Sequence, residues 1–201
     1  MRVIAGTHRS RTLAAPAGLA TRPTSDRLRE TLFNVLAPRI QGAGFLDLYA
    51  GSGAVGIEAL SRGAAQVAFV ERAPAALSVL RANLDRLQLT SRFLIHAGSV
   101  SAFLRRPMAR PTAAFDLVFL DPPYDAAAEY AITFGLLSGP SAFLLAPGAL
   151  VIAEHRRNDR LEARYGVLHR TRLLEQGDAS LSFYAVPAGG AEKAPATVPN
   201  H

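Results

Sequence analysis

From residue 45 onward, short apolar segments alternate with amphipathic ones, and this alternation limits the fold more than any other feature of the chain. Such an order predicts strands and helices in turn, and hence a largely parallel sheet covered by helices. The turn residues Gly177 and Asp178 predict that the last two strands pair antiparallel. The predicted strands span residues 45–48, 66–70, 93–96, 115–120, 149–154, 168–174 and 181–186, and the predicted helices span residues 53–62, 74–87 and 127–137. We therefore predict an α/β protein with a seven-stranded, mostly parallel sheet whose last strand is antiparallel.

The segment that precedes this alternation is basic. Residues 1–39 contain seven arginines and two acidic residues, and so supply +5 of the chain's formal net charge of +6. This balance favours a polyanionic partner, although a solvated basic face is the structural alternative. Apolar pairs at residues 3–4 and 12–13 predict a hairpin, and residues 24–36 predict a helix that Pro38 ends. We expect a basic extension over residues 1–39, an α/β domain over residues 40–186 whose core begins at Phe45, and a disordered tail over residues 187–201.

The chain of 201 residues contains no cysteine. This excludes disulfides, thiolate zinc sites and the cysteine nucleophile that pyrimidine-C5 methylation requires, and no metal site is expected. No apolar run approaches the roughly 18 residues of a membrane span, and the N-terminus lacks the pattern of a secretory signal. We therefore expect a monomeric, cytoplasmic protein that makes no membrane contact.

Glycines follow the first predicted strand in the segment Asp47-Leu48-Tyr49-Ala50-Gly51-Ser52-Gly53-Ala54-Val55-Gly56. At this position a glycine backbone lets a nucleotide cofactor approach closely, and Glu71, at the end of the next strand, is placed to accept ribose hydroxyls. The same pattern also fits a nicotinamide dinucleotide. Asp47 favours S-adenosylmethionine instead, because a carboxylate repels a pyrophosphate but attracts a sulfonium and an ammonium. The structural alternatives are a loop cap for Asp47 and a solvated strand end for Glu71.

The fourth predicted strand leads directly into Asp121-Pro122-Pro123-Tyr124, at the edge where open α/β sheets bind ligands. The lone pair of an exocyclic base amine is delocalised into the ring. Two acceptors, the Asp121 carboxylate and the Pro122 carbonyl, can localise it by binding both amine hydrogens. Tyr124 offers a ring on which an unstacked base can lie, worth about 1–3 kcal/mol. The motif therefore predicts methylation of a base amine, and a rigid loop with a packing tyrosine is its structural alternative.

Three segments together resemble the RsmD family, the bacterial 16S ribosomal RNA guanine-N2 methyltransferases. They are the run from Arg22 to Asn34 (RPTSDRLRETLFN), residues 45–63 and residues 121–124, and the resemblance extends over residues 1–186. It implies a Rossmann-like class I fold, S-adenosylmethionine as cofactor, and ribosomal RNA or the assembling small subunit as partner. It implies cofactor contacts from Arg22, Pro23, Thr24, Ser25, Asp47, Tyr49, Gly51, Ser52, Gly53, Glu71 and Asp121. It also implies a catalytic loop of Asp121, Pro122, Pro123 and Tyr124, and RNA contacts from Arg2, Arg9 and Arg11 of the N-terminal hairpin.

One position departs from the family pattern. After the third strand an acidic or amide side chain commonly contacts the adenine of the cofactor, whereas this chain offers only Ser99 there. The expected function is methyl transfer from S-adenosylmethionine to guanine N2 of 16S ribosomal RNA, and the choice of base follows from the resemblance alone. The alternatives are a DNA adenine-N6 or cytosine-N4 amino-methyltransferase, a non-catalytic RNA-binding ribosome-assembly protein, and a nicotinamide dehydrogenase.

Overall fold

The computed structural model describes residues 1–15, 26–106, 114–123 and 128–187. The strands in these ranges are β1 (Gly44–Leu48), β2 (Gln66–Glu71), β3 (Phe93–Ala97), β4 (Phe115–Leu120), β5 (Leu145–Arg156), β6 (Arg164–Tyr165), β7 (Leu168–Gln176) and β8 (Ala179–Ala185). The helices are α1 (Asp26–Ile40), α2 (Ala54–Ser61), α3 (Pro74–Arg86), α4 (Val100–Arg105) and α5 (Ala128–Leu137), with a 3-10 turn at Ala142–Leu144. Each of the seven predicted strands is therefore present.

All the strands join one sheet in the order β3-β2-β1-β4-β5-β8-β7-β6. Strands β1 to β5 run parallel, and β8 enters antiparallel between β5 and β7. The predicted α/β class and the antiparallel last strand are confirmed. The sheet has eight strands rather than the predicted seven, because β6 has two residues and is too short to show an apolar alternation.

Each face of the sheet carries an apolar core. Side chains alternate along a strand, so Phe45 of β1 packs under α1–α3 and Leu46 packs under α4 and α5. On the first face Phe33 of α1 stacks on Phe45, with ring centroids 6.3 Å apart. On the second face Phe134 of α5 stacks on Tyr165, with centroids 4.3 Å apart. Helices thus cover both faces and leave the carboxyl ends of the parallel strands to the loops.

The N-terminal residues form a hairpin that packs on the body of the domain. The backbone N–H of Val3 donates to the carbonyl of Arg11 at 2.9 Å, and that of Leu13 donates to the carbonyl of Met1 at 3.0 Å. Val3 and Leu13 are 1% and 3% exposed and belong to the same core as Phe45. The expectation that the core begins at Phe45 is therefore wrong, because the hairpin buries its apolar side chains instead of projecting into solvent.

Helix α1 continues through Pro38, which was expected to end it, as far as Ile40. A proline removes one helical hydrogen bond, but Pro38 lies in the last turn, and Ile40 beyond it is 4% exposed in the core. Burial of that side chain explains the extra residues. Helix α4 was not predicted because its six residues are too few to show a helical period. The expected start of α1 at residue 24 lies outside the described residues. The expected tail also lies outside them from residue 188 on.

Candidate active site

The carboxyl ends of β1, β2 and β4 bring several of the predicted site residues together. In the parallel register, Leu48 of β1 lies opposite Leu120 of β4. Tyr49 and Asp121, the next residues along these strands, therefore stand side by side at the sheet edge. Glu71 ends β2 on the other side of β1. The loop after β1 thus lies between Glu71 and Asp121.

Asp47 lies beneath this loop and holds the start of α2. Its carboxylate is 2% exposed and accepts a hydrogen bond from the backbone N–H of Gly56 at 2.9 Å. The N-cap residue of α2, Gly53, has no side chain that could do this. Burial raises the pKa of Asp47 to about 7, opposed by the Gly56 hydrogen bond and reinforced by the charge of Glu71. Asp47 therefore caps the start of α2 from the neighbouring strand β1. A contact between Asp47 and a cofactor stays a prediction.

Glu71 anchors the same loop from the end of β2. One carboxylate oxygen accepts the backbone N–H of Gly51 at 2.8 Å, and the other accepts those of Arg72 and Ala73 at 2.8 and 2.7 Å. A carboxylate has about four acceptor positions, so three are used within the protein. Glu71 therefore fixes the path of the glycine loop, and acceptance of ribose hydroxyls by Glu71 stays a prediction.

Two glycines of the loop are required for different reasons. Gly53 has a φ of +80°, and a Cβ there would lie 2.2 Å from the Cδ1 of Leu80, so this glycine lets α3 approach. Gly51 has a φ of +56°, and a Cβ there would meet nothing nearer than the carbonyl oxygen of Tyr49 at 4.0 Å. The backbone at Gly51 therefore faces open space at the carboxyl edge, where a ligand has room to approach.

Tyr49 joins the glycine loop to α5, the helix that follows the Asp121 loop. Its hydroxyl bonds to the carboxylate of Glu129 at 2.8 Å and to the hydroxyl of Thr133 at 2.9 Å. Tyr49 has a φ of 64°, which is rare outside glycine and persists only where the surroundings hold it. Burial raises the pKa of its phenol. The Tyr49 hydroxyl thus ties the glycine loop to α5, and a cofactor contact from Tyr49 stays a prediction.

The structure describes part of the predicted catalytic loop. Asp121 is half-buried, Pro122 is buried and Pro123 is exposed, directly after the last residue of β4. Tyr124 lies outside the described residues, as do the predicted cofactor residues Arg22, Pro23, Thr24 and Ser25.

Ser99 serves the protein's own backbone. Its hydroxyl accepts the N–H of Ala102 at 3.2 Å and caps α4. The neighbouring Gly98 N–H donates to the carbonyl of Glu71 at 2.8 Å, which ties the end of β3 to that of β2. The capping role explains why a serine stands here, and an adenine contact from Ser99 stays a prediction.

The three arginines predicted to contact RNA lie exposed on the N-terminal hairpin. Arg2 is 3.9 Å from the carboxylate of Asp26, whereas Arg9 and Arg11 form no ion pair within the described residues. Burial and the charges of Arg11 and Arg92 lower the pKa of His8. Arg92, which directly precedes β3, is thus among the charges close to His8.

Asn83 of α3 positions the site but was missed in the sequence. It is fully buried, and its side chain exchanges two hydrogen bonds with the backbone of Ala14, at 2.8 and 3.1 Å. Its amide also donates to the carbonyl of Ser52 at 3.0 Å. A polar residue between Leu80 and Leu84 in the apolar stripe of a helix is the signal that could have revealed it.

Glu58 of α2 was missed as well. It is fully buried, and its carboxylate accepts the backbone N–H groups of Ile4 and Ala5 at 2.7 and 3.0 Å and bonds to Arg62 at 2.7 Å. Its presence in an otherwise apolar helical segment was the available signal. Glu58 and Asn83 together fasten the hairpin to the two helices that flank the glycine loop.

Within the described ranges, no group of three or more His, Asp or Glu side chains is arranged to hold a metal ion. None of the helices described is both long and apolar enough to cross a membrane.

Strand order, the antiparallel β8, the glycine loop after β1 and the acidic loop after β4 define a Rossmann-like class I methyltransferase fold. The family model described as conserved hypothetical protein 95 matches residues 1–185. The chain belongs to this family, the RsmD family.

Individual relatives agree with this assignment. The Bacillus subtilis protein YlbH, named as an rRNA methyltransferase, is 37% identical over 184 residues, which cover 92% of this chain and 98% of YlbH. Ribosomal RNA small subunit methyltransferase D of Haemophilus influenzae is 44% identical over 126 residues, 62% of this chain and 64% of that protein. The structure of Escherichia coli yhhF superposes with a TM-score of 0.79 at 33% identity, covering 92% of this chain and 97% of yhhF. An O-methyltransferase from Bacillus cereus, solved in complex with SAH, shares the fold at 18% identity and a TM-score of 0.65 over 85% of this chain and 86% of that one.

Proposed function

We propose that this protein transfers a methyl group from S-adenosylmethionine to the exocyclic N2 amine of a guanine in small-subunit ribosomal RNA. The observation that carries the proposal is the position of Asp121, which follows β4 directly and stands level with Tyr49 of the glycine loop. An acceptor for an amine is thereby placed beside a loop suited to a nucleoside cofactor.

The residues around the glycine loop fit S-adenosylmethionine. The open face of Gly51 leaves room for the cofactor, and Glu71 holds the loop in that shape. Asp47 places a carboxyl group whose pKa is about 7 under the loop, and a cation nearby stabilises its ionised form. S-adenosylmethionine supplies an electrophilic methyl group on such a cation. The Bacillus cereus protein, which shares the fold, was solved in complex with SAH.

Asp121 and Pro122 would act on the target amine. The Asp121 carboxylate and the Pro122 carbonyl each accept one hydrogen of the amine, which turns its lone pair out of conjugation with the ring and toward the methyl group. Pro122 is buried and lacks an N–H, so its carbonyl is held without a competing backbone donor. The methylated amine must lose one proton, and the Asp121 carboxylate is the acceptor placed to receive it. Alignment of the amine with the methyl group then supplies much of the rate.

RNA is the proposed substrate for two reasons. Exposed arginines without described ion-pair partners lie on the hairpin, and such groups bind phosphates. The Haemophilus influenzae relative carries the name of a small-subunit ribosomal RNA methyltransferase. The hairpin is fastened to α2 and α3 on either side of the glycine loop, so RNA bound there has a fixed relation to Asp121.

The direct test is methyl transfer by the purified full-length protein from labelled S-adenosylmethionine. Small-subunit ribosomal RNA from cells that lack this enzyme is offered both free and in assembled subunits, and plasmid DNA is offered in parallel. We expect N2-methylguanosine, identified by mass spectrometry of the nucleosides, from one of the two RNA substrates and none with the Asp121→Ala variant.

Other products identify the competing functions. N6-methyladenine or N4-methylcytosine in the DNA would show a DNA amino-methyltransferase. RNA binding without any S-adenosylmethionine binding would show a non-catalytic assembly protein. Either result would overturn the proposal.

A further inference from the structure

Tyr49 marks the point where the glycine loop leaves the sheet. The pairing of β1 with β4 ends at Leu48 and Leu120, and the pairing of β1 with β2 ends at Leu48 and Val70. Tyr49 then has a φ of 64°, which turns the chain out of the extended conformation of a strand. Beyond Leu48, therefore, the strand ladder no longer holds the loop against β4.

On the β2 side the glycine loop keeps several anchors. The backbone N–H of Ala50 donates to the carbonyl of Val70 at 2.9 Å, and that of Gly51 donates to the carboxylate of Glu71 at 2.8 Å. The side chain of Asn83 on α3 donates to the carbonyl of the next loop residue at 3.0 Å. These hydrogen bonds fix the loop relative to β2 and α3, on the side away from β4.

The hydroxyl of Tyr49 makes the contact on the opposite side. It bonds to the carboxylate of Glu129 at 2.8 Å and to the hydroxyl of Thr133 at 2.9 Å, and these two residues lie one turn apart on α5. A carboxylate only accepts, so the phenol donates its hydrogen to Glu129 and its oxygen accepts the hydrogen of Thr133. The three side chains thus form a chain of hydrogen bonds with a defined direction.

Helix α5 is in turn fixed to the strands that carry the proposed amine acceptor. The hydroxyl of Tyr130 on α5 donates to the backbone carbonyl of Glu154 on β5 at 2.6 Å. Strand β5 pairs with β4, where Ala153 lies opposite Leu120, and Asp121 follows Leu120 directly. The glycine loop is therefore tied through α5 and β5 to the strand that ends at the acceptor.

We propose that Tyr49 is a positioning residue that, through Glu129 and Thr133, aligns the methyl group of the cofactor with the target amine. The inference rests on the proposed function and deepens it, because it names the contact that holds the methyl-donor loop in a fixed place relative to Asp121. Methyl transfer requires the reacting atoms about 3–3.5 Å apart and in line, so a displacement of about 1 Å between the two loops lowers the rate by up to about 100-fold. In this role the hydroxyl touches neither reactant, and its loss should affect transfer more than cofactor binding.

The test removes the hydroxyl of Tyr49 and keeps its ring. Tyr49→Phe is compared with the control Tyr165→Phe, which makes the same change on a half-buried tyrosine of β6 whose hydroxyl accepts the N–H of Glu162. The rate of methyl transfer is measured in a single turnover with saturating S-adenosylmethionine and saturating small-subunit RNA. We expect Tyr49→Phe to lower this rate by roughly 10- to 100-fold. Its calorimetric affinity for S-adenosylmethionine and its thermal unfolding should stay close to those of the control.

Variants of Glu129 show whether the hydrogen bond itself is what matters. Glu129→Gln keeps an oxygen that accepts the phenol of Tyr49, so it should retain most of the transfer rate. Glu129→Ala has no such acceptor and should be about as slow as Tyr49→Phe. Combining Tyr49→Phe with Glu129→Ala should slow the transfer little further, because both changes break the same link.

The outcomes separate this inference from the proposed function. If the wild type methylates no guanine in RNA, the proposed function fails and the inference fails with it. If the wild type methylates guanine and Tyr49→Phe transfers at the same rate, the inference alone is overturned, and weaker cofactor binding by that variant would then assign the hydroxyl to the cofactor. Equal losses in Glu129→Gln and Glu129→Ala would show that Glu129 acts through its charge, and this too would overturn the inference. The comparison of these two Glu129 variants decides the question even if Tyr49→Phe does not fold.

Discussion

The carboxylate of Asp47 accepts the backbone N–H of Gly56 at 2.9 Å, so an acidic residue of β1 caps a helix whose own N-cap is a glycine. The carboxyl group is buried, and burial raises its pKa from 3.8 to about 7. One side chain thus sets the start of α2 and places a titratable charge under the glycine loop.

Replacing Asp47 with asparagine should change how stability depends on pH. Because the folded pKa of Asp47 is raised, its contribution is fully present below pH 3.8 and is lost as the pH rises through about 7. The wild-type free energy of unfolding should therefore fall relative to that of Asp47→Asn by up to about 1.4 kcal/mol per pH unit over this window. Urea unfolding at pH 4, 6 and 8 measures the difference, and parallel curves for the two proteins would contradict the assignment.

The same substitution should weaken cofactor binding with the opposite pH dependence. S-adenosylmethionine carries a positive charge that favours ionised Asp47, so wild-type affinity should rise as the pH passes about 7. The neutral variant should lack this rise and lose about 1.5–3 kcal/mol at pH 8. Calorimetric titration of both proteins at pH 6 and 8 tests this, and equal affinities at pH 8 would place the cofactor's positive charge elsewhere.

Asp121→Ala should lower turnover far more than it lowers cofactor affinity. The substitution deletes the acceptor proposed for the amine, and loss of one aligned polar group at a reacting centre lowers kcat by roughly 100-fold or more. Single-turnover methylation with saturating RNA measures the loss, and Glu162→Ala, on an exposed loop, is the control. Full activity of Asp121→Ala would show that the loop after β4 is only a rigid turn.

The strands and the sheet edge could be predicted because their signals are local. The run Phe115–Leu120 is apolar apart from Asp116 and leads directly into Asp121, so both the strand and the position of the loop follow from neighbouring residues. The roles of Asp47 and Tyr49 could not be predicted, because their partners Gly56 and Glu129 are brought near by folding. The burial of the hairpin was missed for the same reason.

Asn83→Ala should lower both stability and cofactor affinity. The substitution leaves the N–H of Ala14 and the carbonyl of Ser52 without their hydrogen-bond partner on α3. Each buried polar group that loses its partner lowers the free energy of unfolding by about 1–3 kcal/mol. Asn83→Asp keeps the acceptor for the N–H of Ala14 but loses the donor to the carbonyls of Ala14 and Ser52, so it should weaken loop attachment more than hairpin attachment. Calorimetric titration measures the cofactor affinity, thermal unfolding measures the stability, and exposed Arg81→Ala is the control. Wild-type cofactor affinity in both Asn83 variants would contradict the prediction.

Glu58→Ala should destabilise the whole domain. Arg29 is fully buried, its Nη2 donates to the carboxylate of Asp26 at 3.0 Å and its Nε lies 3.9 Å from that of Glu58, so the two acids together compensate its charge and Glu58 is the buried one. Removing one member of a buried ion pair costs about 3–5 kcal/mol. Two backbone N–H groups of the hairpin would lose their acceptor as well. Urea unfolding with an unchanged midpoint would show that the hairpin is not held through this residue.

The final prediction concerns RNA binding by the hairpin, and the structure decides which variant can test it. Deleting residues 1–13 would remove Val3 and Leu13 from the core and would therefore confuse loss of RNA contacts with loss of the fold. Arg9 and Arg11 are exposed and form no ion pair within the described residues, so Arg9→Ala and Arg11→Ala remove charge alone.

If both arginines contact phosphates, each substitution should weaken RNA binding and lower the slope of log affinity against log salt by roughly 0.7 to 0.9. The double variant should show about the sum of the two changes, because exposed contacts to separate phosphates are independent. Cofactor affinity and thermal unfolding should not change. Arg157→Ala is the matched control, since this exposed arginine is already paired with Glu175 at 3.1 Å. A salt titration of RNA affinity for the wild type and the four variants gives the slopes. A double variant with the wild-type slope would mean that the basic surface of the hairpin is only solvated and that RNA reaches Asp121 along another path.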